Sequence, residues 1–158
     1  MKYKHNFEIT VSSRFQKEEY IPIKVVLNEA ELSRHIGFYY KDSDLAEFAL
    51  DFETGAVNSF VLTLSNHYSF HEAMLECPAT ANGEIQLFYP PRNLCSAFMV
   101  EVYLNGVRIT VSCSSNVSYI RSGQLILGID AEENIAEILI TDLRSDEVAF
   151  VKNELELG

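Results

Sequence analysis

Leu45–Leu64 reads LAEFALDFETGAVNSFVLTL, and Gly123–Leu143 reads GQLILGIDAEENIAEILITDL. Both stretches have the same plan: an apolar run, an Asp, a short acidic turn closing on Gly or Asn, then a second apolar run. Asp51, Glu53 and Gly55 match Asp130, Glu132 and Asn134, and Ala56 is one extra residue before the first copy resumes at Val57. Phe48, Leu50 and Phe52 alternate on the outgoing side, which is the period of a strand with one buried face. Gly55 takes a positive φ at low cost, so the extra residue predicts a bulge at the turn. Two explanations of the recurrence stand: pseudo-symmetric halves, or one turn solution reached twice. The second is the simpler.

Working outward, the rest of the chain follows the same rhythm. Tyr3–Val11 alternates as a strand, and Ser12–Glu19 reads as a loop. Tyr20–Leu27 is apolar and β-branched, with Pro22 marking an edge or a strand start. Asn28 and Glu31 have capping-box spacing, which predicts a short helix to about His35 ended by Gly37. Phe38–Tyr40 reads as a brief strand, and one helical turn is expected around Phe70–Leu75. Glu84–Tyr89 is a strand candidate stopped by Pro90 and Pro91. Cys95–Leu104 and Val107–Cys113 flank Asn105-Gly106, the sequence of a type I′ hairpin turn, which needs positive φ at both central residues. Ser114–Arg121 reads as a polar connection. Arg144–Leu155 predicts a helix with Ser145 as N-cap and Asp146 and Glu147 in its first turn. Its apolar stripe is Val148, Val151 and Leu155, with Phe150 at the edge.

The expected fold is therefore mainly β, in the β-rich α+β range: an antiparallel sandwich or strongly curved half-barrel sheet, with eight to ten strands and two or three short helices. No alternating βα rhythm is present, which excludes a doubly wound parallel sheet. Residues 1–158 read as a single domain without a linker.

The net charge is −11, from 12 basic and 23 acidic residues. A phosphate-binding protein needs a basic face, so the balance argues against nucleic acid and anionic membranes as partners. It favours solubility and steered association with a basic protein. No apolar run reaches the roughly 20 residues of a membrane helix. MKYKHNFEITV lacks the apolar core of a secretory signal, so a cytoplasmic location is expected. Cys77, Cys95 and Cys113 are odd in number and widely spaced, as expected of buried free thiols in a reducing compartment.

Local signatures of catalysis are absent. His67 and His71, with Glu72 and Cys77 nearby, lack a second ligand pair for zinc. Asp51 with Glu53 and Asp130 with Glu132 sit on hairpin tips, where water screens carboxylates and leaves their pKa values near normal. No GxSxG, Ser-x-x-Lys or phosphate-cradling glycine loop occurs. The expectation is a non-enzyme with no cofactor and no metal. A small enzyme assembled from distant residues and a small-ligand-binding β-barrel or sandwich are the alternatives.

What remains is acidic clustering. Glu29, Glu31, Asp42, Asp44 and Glu47 form one group. Asp130, Glu132, Glu133, Glu137, Asp142, Asp146, Glu147, Glu154 and Glu156 form a larger one. Tyr39, Tyr40, Tyr68, Tyr89 and Tyr119 are candidate anchors within such a surface.

The segments LDFETGAVNSFVL and LGIDAEENIAEILI resemble hairpins of small bacterial immunity proteins encoded beside polymorphic toxins, including those of contact-dependent growth inhibition systems. The two hairpins make up about a quarter of the chain. The resemblance implies an antitoxin that binds and blocks one cognate toxin domain, often a nuclease. Immunity proteins share no single fold or residue set, so no contact is carried over by position. The partner-binding surface expected here is Asp130, Glu132, Glu133 and Glu137.

Overall fold

The computed structural model describes residues 3–6, 12–30, 32–87, 92–94, 97–114 and 117–157. Its strands in chain order are β1 Tyr3–Asn6, β2 Arg14–Phe15, β3 Ile23–Val26, β4 Ser33–Tyr40, β5 Asp44–Asp51, β6 Val57–Leu64, β7 Tyr68–Phe70 and β8 Ala81–Asn82. There follow β9 Glu84–Leu87, β10 Arg92–Asn93, β11 Met99–Val102, β12 Val107–Thr110, β13 Val117–Ser122, β14 Leu125–Asp130 and β15 Ile135–Ile140, and then helix α1, Ser145–Leu157.

The first large sheet has the order β10-β4-β5-β6-β3-β2 and the second β7-β11-β12-β15-β14-β13-β8, with β1 and β9 as a separate pair. The fold is a β-rich sandwich, not closed into a barrel. Most pairings are antiparallel, but β10, β7 and β8 join their neighbours β4, β11 and β13 in parallel. With these short edge strands and β2 the described strands number fifteen, above the expected eight to ten.

The repeated hairpins are β5-β6 and β14-β15, each central in its own sheet. Their positions are equivalent. In the first sheet the meander β4-β5-β6 folds back so that β6 lies beside β3, the strand before the meander. In the second, β13-β14-β15 folds back so that β15 lies beside β12. Each is a Greek-key unit.

The inward faces fuse into one core. Ala46, Phe48, Leu50, Phe60 and Leu62 from the first sheet meet Val100, Ile109, Leu125, Leu127 and Ile138 from the second. Along β5 burial alternates strictly, as the sequence predicts. On β14 it does not: Leu125 to Ile129 are all buried. The outward Ile126 is covered, with Leu139, by Leu75. The loop carrying Leu75 crosses the outer face of the second sheet. It is held by Leu75 N donating to Asn105 Oδ1 (2.7 Å) and Leu104 N donating to the Ala73 carbonyl (2.9 Å).

Several expectations are corrected. Residues 33–40 are strand, so no helix runs to His35, and Gly37 lies inside β4 opposite Glu47. Eight residues of cross-strand bonding to β5 outweigh one capping signal; Glu31 itself lies outside the described residues. Phe70–Leu75 is not helical either, because its backbone bonds go to β11 and the turn after it. Ser114–Arg121 reads as a connection in sequence, yet Val117–Ser122 is β13. It is a strand with few inward apolar residues, and Ile120 supplies the buried one. Phe52 is not core. β5 ends at Asp51, and Phe52 stands 70% exposed in the turn. Cys77 and Cys113 are exposed free thiols, not buried ones; Cys95 lies outside the described residues. Residues 7–11 and 88–91, parts of two predicted strands, also lie outside them.

α1 matches its expected stripe, with Val148, Val151 and Leu155 buried and the half-buried Phe150 edge-on to Phe15 at 6.4 Å. Its cap is shifted by one residue. Val148 N donates to the Arg144 carbonyl, so Arg144 is the N-cap, and Glu147 Oε1 accepts from Arg144 N at 3.0 Å. Glu147 satisfies the helix start that Ser145 was expected to satisfy.

Candidate interaction surfaces

The two hairpin tips are closed by the same device. In the first, Asp51 Oδ1 accepts from Glu53 N (3.0 Å), Thr54 N (2.8 Å) and Thr54 Oγ1 (3.0 Å). In the second, Asp130 Oδ1 accepts from Glu132 N and Asn134 N, both at 2.9 Å. Each aspartate therefore organises its own turn. The donors around Asp51, with the Thr54 amide foremost, hold its carboxyl below the usual range, which corrects the expectation of an unshifted tip carboxylate. The left-handed residue is Gly55 (φ 76°) in the first tip but Glu133 (φ 63°), not Asn134, in the second. The first turn is longer by one residue: Asp51 N bonds the Ala56 carbonyl, where Asp130 N bonds that of Asn134.

Of the four predicted partner-binding residues, three share the tip. Glu132 and Glu133 are exposed there, and no ion pair among the described residues engages either. Asp130 is committed to the turn through Oδ1. Glu137 lies back on the outer face of the second sheet, where Tyr119 donates its hydroxyl to Glu137 Oε2 at 2.6 Å.

Tyr119 pairs across the strands with Gly128. A Cβ at Gly128 would stand 2.8 Å from Val117 Cγ1 and 3.0 Å from Tyr119 Cε1, so the ring covers bare backbone. Beside it, Tyr103 donates to Glu101 Oε2 (3.0 Å) and stacks on His71 (centroids 4.9 Å). Arg108 lies in the same face, with its Nε buried and without a hydrogen-bond partner among the described residues. Burial, then the bond to Glu137, pushes the Tyr119 hydroxyl up to about 12.

That shift carries a prediction. The neutral hydroxyl stabilises the fold fully below the free-tyrosine pKa of about 10, and this contribution is lost as pH rises through about 12. Tyr119→Phe is expected to cost about 2 kcal/mol at neutral pH, the scale of a hydrogen bond to a charged acceptor. The gap between variant and native protein should close from pH 10 upward. Denaturant midpoints measured from pH 8 to 12 check this; a constant gap refutes it.

The acidic residues of the C-terminal third do not form one face. Asp142 bonds Arg121 (2.6 Å), and Asp146 bonds Lys17 (2.8 Å) and Arg144 (3.3 Å). Glu147 and Glu154 are buried, each 8% exposed. In the N-terminal group Asp44 is 1% exposed. Among the anchor candidates Tyr39 and Tyr68 are each 37% exposed, Tyr119 is engaged with Glu137, and Tyr89 lies outside the described residues.

An open groove of about 710 Å³ runs over the outer face of the first sheet, past Lys24, Asn28, Ser33, His35, Asn58 and Ser59. Its polar groups bond one another: Asn58 Nδ2 donates to Ser33 Oγ (3.2 Å) and Asn28 Nδ2 to Asn58 Oδ1 (3.4 Å). They tie the loop after β3 to β6 and do not converge on a reacting atom. No three His, Cys, Asp or Glu among the described residues come together in a way that could hold a metal. Among the same residues no helix is long and apolar enough to cross a membrane.

No family model matches this chain, and no curated protein matches it.

Proposed function

We propose that this protein is an immunity protein: a cytoplasmic antitoxin that binds and neutralises a cognate bacterial toxin domain, with a nuclease as the favoured toxin class. The observation that carries the reading is uncompensated acidity at the second hairpin tip, in a chain of net charge −11. Arg14, Lys17, Lys24, Arg121 and Arg144 are each engaged by a carboxylate elsewhere, whereas Glu132 and Glu133 project without a cationic partner among the described residues. A nuclease presents a basic substrate groove, and an acidic tip docked over or beside it excludes the nucleic acid. Charge of this kind raises the association rate, while a few desolvated anchors set the dissociation rate. Glu137 serves this surface through Tyr119, as its support.

The test begins with capture of the partner from the native host and its identification. Expression of that partner should arrest growth, and co-expression of this chain should relieve the arrest. A partner without toxicity, or toxicity that this chain does not relieve, refutes the reading. With the partner in hand, the double variant Glu132→Lys, Glu133→Lys is expected to slow association about tenfold at low salt and to flatten its salt dependence. Unchanged kinetics would remove the tip from the interface.

A further inference from the structure

Three exposed apolar side chains meet at the far end of α1. Tyr20 (73% exposed), Leu64 (43%) and Leu157 (65%) surround a cleft of about 200 Å³ to which the buried Leu155 also contributes. Two observations mark it as a built feature. Tyr20 holds φ at 68°, a left-handed conformation that residues with a β-carbon rarely adopt. It is held there by its N–H, which donates to Oε2 of the buried Glu154 at 2.9 Å, so a helix carboxylate fixes an exposed ring at the cleft mouth. Asn66, another lining residue, is bound through its N–H by Asp44 Oδ1 at 3.1 Å. Asp44 is 1% exposed, and its second oxygen is buried with no partner among the described residues.

We propose that this cleft docks one apolar side chain carried on a basic segment of a partner protein. Size selects a side chain, since sites for drug-sized ligands run to about 300–1,000 Å³. Charge selects the flanks. Glu154 lines the cleft, Asp44 stands behind Asn66, and the exposed Glu19 and Glu156 adjoin the rim residues in sequence. Lys152, the single cation of α1, is taken up 5.3 Å over the Phe70 ring. A second copy of this chain would bring like charge to the same place, which disfavours self-association there. The inference stands on the cleft alone and does not require the second hairpin.

The test uses the full-length chain, isotopically labelled, and three pentapeptides: leucine flanked on each side by two lysines, serine in the same frame, and leucine flanked by glutamates. The basic leucine peptide should shift the amide resonances of Tyr20, Leu64, Asn66 and Leu157 saturably. The other two should bind about tenfold more weakly or worse. Leu64→Ser, at an exposed site that folding tolerates, should weaken the basic leucine peptide by about tenfold. Glu132→Lys with Glu133→Lys should leave it unchanged. Absence of binding, equal binding of the serine or acidic peptide, or full binding by a folded Leu64→Ser variant overturns the proposal. Concentration-dependent dimerisation that buries the same residues also overturns it.

Discussion

Replacing Phe48 by alanine is expected to remove about 3–5 kcal/mol of folding stability, the cost of emptying a buried aromatic site. Phe48 is fully buried on β5, with a neighbouring strand on each side. Its ring meets Phe60 at 5.0 Å and stands edge-on to Phe38 at 6.0 Å. Such pairs add about 0.5–1.5 kcal/mol beyond area burial. Domains of this kind are stable by about 5–15 kcal/mol, so the variant should lose a large share of its margin. Phe52→Ala supplies the contrast. Both residues lie on one face of the pattern read from sequence, but Phe52 is 70% exposed, and its removal should change stability by no more than about 0.5 kcal/mol. Urea midpoints of the two variants decide the matter. Equal losses would mean that β5 continues past Asp51.

Gly106→Ala is expected to cost about 3 kcal/mol, at the upper end of overpacking effects. A Cβ there would stand 2.5 Å from the Ile140 carbonyl oxygen and 2.8 Å from Leu75 Cδ2. The oxygen belongs to a central strand and cannot withdraw without breaking the sheet. The reason differs from the one in the sequence pattern. Neither Asn105 nor Gly106 has a positive φ, so the turn between β11 and β12 is not type I′. It spans Tyr103–Gly106, closed by Tyr103 N donating to the Gly106 carbonyl at 2.8 Å. Asn105 serves the loop over the sheet, accepting from Leu75 N at 2.7 Å. Asn105→Gly suits a type I′ turn but here leaves the Leu75 amide without its acceptor, at about 1–2 kcal/mol. A neutral Asn105→Gly together with a mild Gly106→Ala would restore the type I′ reading.

The proposed surfaces were legible to different degrees. Glu132 and Glu133 stand out in sequence because a turn must expose its central residues. Glu137 looked equivalent to them, yet the pleat aims it at the outer face, under the Tyr119 hydroxyl. Tyr119 was hidden because VSYIRS has only one fully inward apolar side chain, Ile120, and so reads as a connection. The cleft at the end of α1 was not legible at all. It joins Tyr20, Leu64 and Leu157, which are distant in sequence, and none has unusual neighbours.

Sequence alone determined the β-rich class, the two hairpins with an aspartate entering each acidic turn, and the apolar stripe of α1. These depend on local rules: period-two burial, turn chemistry and helical spacing, each acting within about ten residues. Tertiary structure decided the rest. It placed each hairpin in a separate sheet, made 33–40 a strand by pairing it with β5, and laid the Leu75 loop over Ile126. It also divided the acids among turn closure, helix capping, ion pairs and open solvent. What an acidic residue does depends on which donors the fold brings to it.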